Sequence, residues 1–295
     1  MLRWTTDASW LAGIALSTTS VAVVYAVMLE FGFNVTDYGK TVLAACFVTD
    51  LGTVVALGLI FAPFTMKTVI FVGVGIAAFV VLPWLTPRFF RRYGNRPSEL
   101  EAKYLLLCLL GLGALATWAD SEAVLPAYVI GMVLAGTVGK DHALIRRLRT
   151  LTFGLLTPFY FIRAGSFVSI PELVAAPAAF VFMLVVKVFS KIVGVYPVTK
   201  AYKAPNKEAM YTTLLMSTGL TFGTISALFG LSRGIIDPGQ YSALVAAVIA
   251  SAVIPTVIAN AFYLPRHLLP AAGPEPKPTP DAQAAQLRSV SGKAE

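Results

Sequence analysis

Of the 295 residues, 57% are hydrophobic and only 13% charged, whereas a soluble domain carries about a quarter charged residues. Water is therefore not the main solvent, which excludes an ordinary soluble enzyme or binding module. The formal charge of +8 does not point to nucleic acid, because most Lys and Arg residues lie in short loops between apolar runs, where they report membrane topology.

Nine apolar runs of roughly 17 to 24 residues follow one another, each close to the ~20 residues that a helix needs to cross about 30 Å of hydrocarbon. Helices are expected because lipid leaves no partner for an open backbone. The first run, at about 10–29, reads GIALSTTSVAVV and places Ser17, Thr18, Thr19 and Ser20 in its middle, where hydroxyls loosen a helix. The second, at about 39–62, carries Asp50 about eleven residues in, near the bilayer centre at about 1.5 Å per residue. Nothing in packing requires a carboxylate there. An ionised Asp at that depth costs on the order of 3 kcal/mol, so a functional group facing protein or water is expected, the alternative being a structural partner for a basic residue elsewhere.

The third and fourth runs lie at about 67–86 and 103–119. GLGALA at 111–116 sits inside the fourth with no strand before it, so it is not a dinucleotide fingerprint. Asp120 and Glu122 form the tight link to the fifth run, at about 122–138, and read as a solvated turn. The sixth, at about 150–168, has Arg163 near its outer end, where it can snorkel or pair locally. The seventh, at about 174–197, holds Lys187 at a depth matching that of Asp50, so the two can meet. Lys191 lies one turn nearer the cytoplasm on the same face and reads as snorkelling or structural.

The eighth run, at about 210–230, reads LLMSTGLTFGTISAL and is interrupted by Ser217, Thr218, Gly219, Thr221 and Gly223; the ninth lies at about 240–263. Two interrupted spans so far apart predict helices that cross at the midplane, related by an axis in the membrane plane, where freed carbonyls and half-helix dipoles hold an ion. Small residues that merely let helices pack closely are the competing explanation. Cys46 and Cys108 lie inside apolar runs and act as small hydrophobes. His142 and His267 lie in or beside loops without metal-ligand spacing, so neither a resident metal nor any other cofactor is expected.

The division expected is therefore a transmembrane unit over 1–263 and a disordered cytoplasmic tail over 264–295, rich in Pro, Ala and polar residues. One set of alternate loops carries Lys40, Arg88, Arg91, Arg92, Arg96, Lys103, Lys140, Arg146, Arg147, Arg149, Lys200, Lys203 and Lys207, against Arg3, Lys67, Arg163 and Arg233 on the other. By the positive-inside rule the C-terminus is cytoplasmic and the N-terminus outside. An outside N-terminus opening directly into a span is natural if earlier spans are missing.

Together these residues resemble the cation:proton antiporter-2 family, the bacterial sodium/hydrogen and potassium/hydrogen exchangers. LSTTSVAVV is similar to the family's first interrupted helix, FVTDLGTVVAL to the helix with its ion-binding Asp, VLPAYVIGMVLAG to its "LGAFLAG" helix, TPFYFIRAGSFVSI to its "LFFVSVGM" helix and VVKVFSKIVG to its Lys-bearing helix. The resemblance implies an all-α inverted-repeat exchanger fold, not an enzyme. It also implies that Asp50 binds Na⁺ or K⁺ in competition with H⁺, that Thr19 and Ser20 sit at the first break and that Lys187 is the midplane base. Ser217, Thr218 and Gly219 then fall at the second break.

Thr49, expected with Asp50, Thr19 and Ser20 to bind the ion, stands where some members have a second acid or an Asn, and the single carboxylate predicts electroneutral one-for-one exchange. Full-length members carry about three or four further spans before this point, so one core helix and part of a homodimer region are expected to be absent. The expected setting is a bacterial cytoplasmic membrane. The competing expectation is a truncated or accessory membrane subunit without transport of its own.

Overall fold

The computed structural model describes residues 4–61, 65–94, 98–121, 123–139, 141–175 and 177–269, and every regular element among them is helical. In chain order these are α1 (Thr6–Ser17), α2 (Val21–Glu30), α3 (Asp37–Phe61), α4 (Met66–Tyr93), α5 (Leu100–Trp118), α6 (Val124–Val138), α7 (His142–Leu151), α8 (Thr157–Ser166), α9 (Ile170–Ala175), α10 (Pro177–Ala201), α11 (Asn206–Met216), α12 (Leu220–Ser232) and α13 (Pro238–Ile258). Local chemistry sets several starts. Thr5 accepts from the Ala8 amide, Asp141 from that of Leu144, and Asp237 and Gln240 cap α13 reciprocally.

Counting each interrupted pair as one, seven of these helical stretches are long and apolar enough to cross a membrane: Thr6–Glu30, Asp37–Phe61, Met66–Tyr93, Leu100–Trp118, Pro177–Ala201, Asn206–Ser232 and Pro238–Tyr263. The sequence reading expects nine. The fifth expected span is helix α6, whose 15 residues reach only about 22 Å. The sixth is divided: a π-helical stretch, Thr152–Leu156, separates α8 from the amphipathic α7, which bears Arg146, Arg147 and Arg149. Wider π turns let the helical path continue from His142 while the face presented to its neighbours changes.

The buried apolar side chains gather into two bodies. Helices α1, α2, α3, α10, α11, α12 and α13 share one, around Leu11, Leu57, Tyr241, Leu244, Val24, Phe33 and Tyr211. Helices α4 to α7 share the other, around Leu82, Leu105, Ile130, Leu144, Phe71 and Ala116. Much of α4 faces outward with Val69, Phe79, Val80 and Trp84, as suits contact with acyl chains.

The first residues of the expected tail depart from the sequence reading. A 3₁₀ turn, Arg266–Leu268, follows α13, and Leu264, Leu268 and Leu269 pack against the cluster around Phe33 and Tyr211. These leucines bury apolar surface that the Pro-rich composition downstream lacks. The remainder of that tail, 270–295, lies outside the described residues.

Candidate functional site

Helix α1 ends at Ser17 because the hydroxyls after it turn back on the last turn. Ser17 Oγ donates to the Ile14 carbonyl and Thr18 Oγ1 to that of Ala15, both at 2.8 Å, while Thr18 and Ser20 take extended backbone. Helix α11 ends the same way. Ser217 Oγ donates to Thr213 O at 2.9 Å and Thr218 Oγ1 to Leu215 O at 2.8 Å, and α12 starts after Gly219.

The two breaks are joined to each other. The Ser20 amide donates to Thr218 O at 2.9 Å and Thr19 Oγ1 to Met216 O at 3.0 Å, the Thr18 hydroxyl is shared between Ala15 O and Gly219 O, 3.2 Å away, and Ser20 Oγ and Thr221 Oγ1 lie 3.2 Å apart. Thr18, Thr19, Ser20, Ser217 and Thr218 are all fully buried. Some of the backbone groups released by each interruption are thus satisfied by the other, as a dry interior demands.

Asp50, in the middle of α3, is 1% exposed and turns toward this crossing. Its carboxylate interacts with the backbone amides of Val21 and Thr19, at the start of α2, where free N–H groups favour an anion. Its Oδ1 nevertheless has no hydrogen-bond partner. Leaving such an atom dry and unpaired costs about 1–3 kcal/mol, more when the group is charged. Thr49 beside it spends its hydroxyl on Ala45 O at 2.9 Å.

Lys187 is buried and does not form an ion pair with Asp50. Its Nζ donates to Leu16 O at 2.9 Å and Thr18 O at 3.0 Å, so it neutralises the carbonyl end of α1. Gly219 makes this possible, since a Cβ there would collide with Lys187 Nζ and Thr18 Oγ1. Lys191 does not snorkel. It is 9% exposed, and its Nζ donates to Ser17 O at 2.7 Å and Thr19 Oγ1 at 3.1 Å. Two lysine side chains, each held by carbonyls and hydroxyls of the first break, therefore share this crossing with one carboxylate.

Two crevices approach the crossing from opposite ends and stop short of Asp50. One, of about 770 Å³, runs between the first half of α3, the end of α10 and α11, past Asp37, Tyr38, Glu208 and Thr212 to Ala45 and Met216. The other, of about 640 Å³, runs along the second half of α12 between Tyr160, Arg163, Ile225 and Leu228. Arg163 lines this second crevice, and Asp120 meets Arg233 near its mouth at 3.7 Å.

Sequence reasoning separated the lysines, Lys187 as the midplane base and Lys191 as snorkelling or structural, but it did not foresee which carbonyls each one serves, and it missed Thr221 as the partner of Ser20 and Tyr128 as the partner of Phe47, three residues before Asp50. All of these depend on tertiary contact. Among the described residues no group of three or more His, Cys, Asp or Glu side chains could hold a metal ion, so a cation here would meet one carboxylate together with hydroxyl and carbonyl oxygens.

Comparison with known proteins agrees with this arrangement. The model of the family "Sodium/hydrogen exchanger, transmembrane" matches residues 1–262. The chain is 25% identical over 266 residues to Cation/H(+) antiporter 18 of Arabidopsis thaliana, covering 86% of this chain and 33% of that protein. Against the glutathione-regulated potassium-efflux system protein KefC of Cronobacter sakazakii identity is 26% over 268 residues, covering 85% and 42%. Against the Na(+)/H(+) antiporter of Enterococcus hirae it is 23% over 264 residues, covering 85% and 68%. The chain thus spans about a third of the plant relative and about two-fifths of KefC. With its two interrupted helices bonded at their breaks and a family match running from end to end of the helical region, this multi-pass membrane chain belongs to the sodium/hydrogen exchanger family.

Proposed function

We propose that the chain exchanges a monovalent cation, Na⁺ or K⁺, for H⁺ across a membrane, the two ions competing for Asp50. The observation that carries this reading is the buried carboxylate with an unpartnered Oδ1 beside the bonded breaks of two helices. An ionised carboxylate in so dry a place needs either a proton or a cation, and it cannot hold both in full. Thr19, Ser20 and Thr221 bring hydroxyl oxygens to the crossing that Asp50 adjoins. Selectivity for one ion over the other is not needed for exchange, only that the protein reorients when the site is filled.

Alternating access is supported by the two crevices, which reach toward Asp50 from opposite ends while Asp50 itself stays buried. The Lys-rich ends of α10 and α11, with Lys200, Lys203 and Lys207, favour a cytoplasmic position for the crevice between α3, α10 and α11. Lys187 and Lys191 offset the carboxylate when neither ion is bound. With one acid at the site, one cation leaves for each proton that arrives, so no net charge crosses the membrane.

The test is transport in proteoliposomes by the wild-type chain and by Asp50→Asn, each measured with and without an imposed membrane potential. Exchange disappears in Asp50→Asn while helical content and monodispersity stay unchanged, and the wild-type rate is insensitive to potential. Normal antiport by Asp50→Asn removes the site assignment. Acceleration by potential, worth about 2.3 kcal/mol per charge per 100 mV, replaces one-for-one exchange with an electrogenic ratio.

A further inference from the structure

The two helical bodies meet with little shared core. None of the buried apolar clusters among the described residues includes buried members from both the α1–α3/α10–α13 body and the α4–α7 body. The boundary is crossed instead by individual side chains, and one of them touches both arms of the candidate site. Tyr128, on α6, donates its hydroxyl to the Phe47 carbonyl at 2.7 Å, one turn before Asp50 on α3. Its ring lies 6.3 Å from that of Phe47 and meets Phe222 of α12 edge-on at 6.4 Å and 77°. Phe222 adjoins Thr221, the partner of Ser20 at the crossing.

The crevice along α12 follows this same boundary. On α6 its lining includes Val124, one turn before Tyr128, and on α12 it includes Ile225, one turn beyond Phe222. Its lining thus stops one turn short of Tyr128 on α6 and one turn short of Phe222 on α12.

We infer that Tyr128 is the gate of this crevice: its ring against Phe222 and its hydroxyl on the Phe47 carbonyl close the passage between the α12 crevice and Asp50. The inference rests on the exchange reading, for which it supplies the barrier on one side. A gate of this kind suits alternating access because it is held by one hydrogen bond and one edge-to-face ring contact. Both are modest, so both can break in a cycle without unpacking a core.

Cysteine accessibility tests this without any ion gradient, so the outcome is independent of whether the chain exchanges cations. With Cys46 and Cys108 replaced by Ala, Thr221→Cys reports from behind the pair and Ile225→Cys from within the crevice. A small cationic, membrane-impermeant methanethiosulfonate is added to the Arg163 side of sealed vesicles. Thr221→Cys reacts about tenfold faster when Tyr128→Ala is also present, as the loss of both weak contacts predicts, while Ile225→Cys reacts at the same rate in either background. Tyr128→Phe keeps the ring, loses the hydrogen bond and gives an increase between the two. If Tyr128→Ala does not fold, the Phe variant carries the comparison with about threefold acceleration. Equal rates at Thr221→Cys with and without the tyrosine overturn the gate, and so does equal acceleration at both reporter positions, which would mean general loosening.

Discussion

The interrupted helices and α4 are both apolar membrane-length stretches, yet they use that composition in opposite ways. Of the most apolar window of Thr6–Glu30 and of Asn206–Ser232, 61% is buried in the protein, against 11% for α4. In α4 the helix satisfies its own backbone, so its side chains can face lipid with no partner beyond acyl chains. At the crossing, two helices give up internal bonds and need partners from one another, from Lys187 and Lys191, and from hydroxyls that have no place on a lipid face. Apolar composition is sufficient for a span; a span that exposes backbone must also be surrounded.

That contrast is open to direct attack. The largest expected effect is from Lys187→Met. It orphans the carbonyls of Leu16 and Thr18 at the dry end of α1 and should cost about 3 kcal/mol, read as a lower thermal midpoint in detergent with exchange lost as well. A normal midpoint would show that the carbonyl end of α1 needs no cation.

Next is Gly219→Ala, whose added Cβ meets Lys187 Nζ and Thr18 Oγ1. A loss of about 1–3 kcal/mol is expected in the same unfolding assay, from overpacking at a site that cannot yield. The smallest effect is the matched change on α4. Gly73→Ala meets nothing within 4 Å, so stability should stay within about 0.5 kcal/mol and exchange should be unchanged. If Gly73→Ala and Gly219→Ala proved equally harmful, the distinction between a surrounded helix and a lipid-facing one would fail.

Much of the architecture is legible in the residues because lipid imposes so few choices. A run such as 39–62 has to be helical, and the structure makes Asp37–Phe61 a continuous helix. The reading is less secure where length alone does not decide. The run at 150–168 continues without a break from the amphipathic α7 through a π-helical stretch that no hydropathy pattern encodes, and α6 is too short to stand beside the full spans. The leucines at 264, 268 and 269 were hidden by the Pro-rich composition that follows them.

At the candidate site the lone acid in an apolar run singled out Asp50, because an unexplained charge in hydrocarbon is conspicuous in one dimension. Depth suggested that Lys187 meets it, but depth is only one coordinate. Lys187 turns to the end of α1, and Lys191, which could have reached water by snorkelling, turns inward to Ser17 and Thr19. Long lysine side chains have several directions open to them, and the free carbonyls nearby decide which is taken.

The sequence by itself determined that the chain lives in a membrane as a set of helices, that two of them are weakened midway by hydroxyls and glycine, and that one carboxylate lies deep among them. Those properties follow from local composition and from spacing along a single helix. Only the tertiary structure decided that the two weak points bond to each other, that Asp50 keeps one oxygen unpartnered and that Tyr128 of α6 bonds to α3 one turn before it. These depend on which backbone groups remain unsatisfied once distant helices come together, a quantity that no single segment contains.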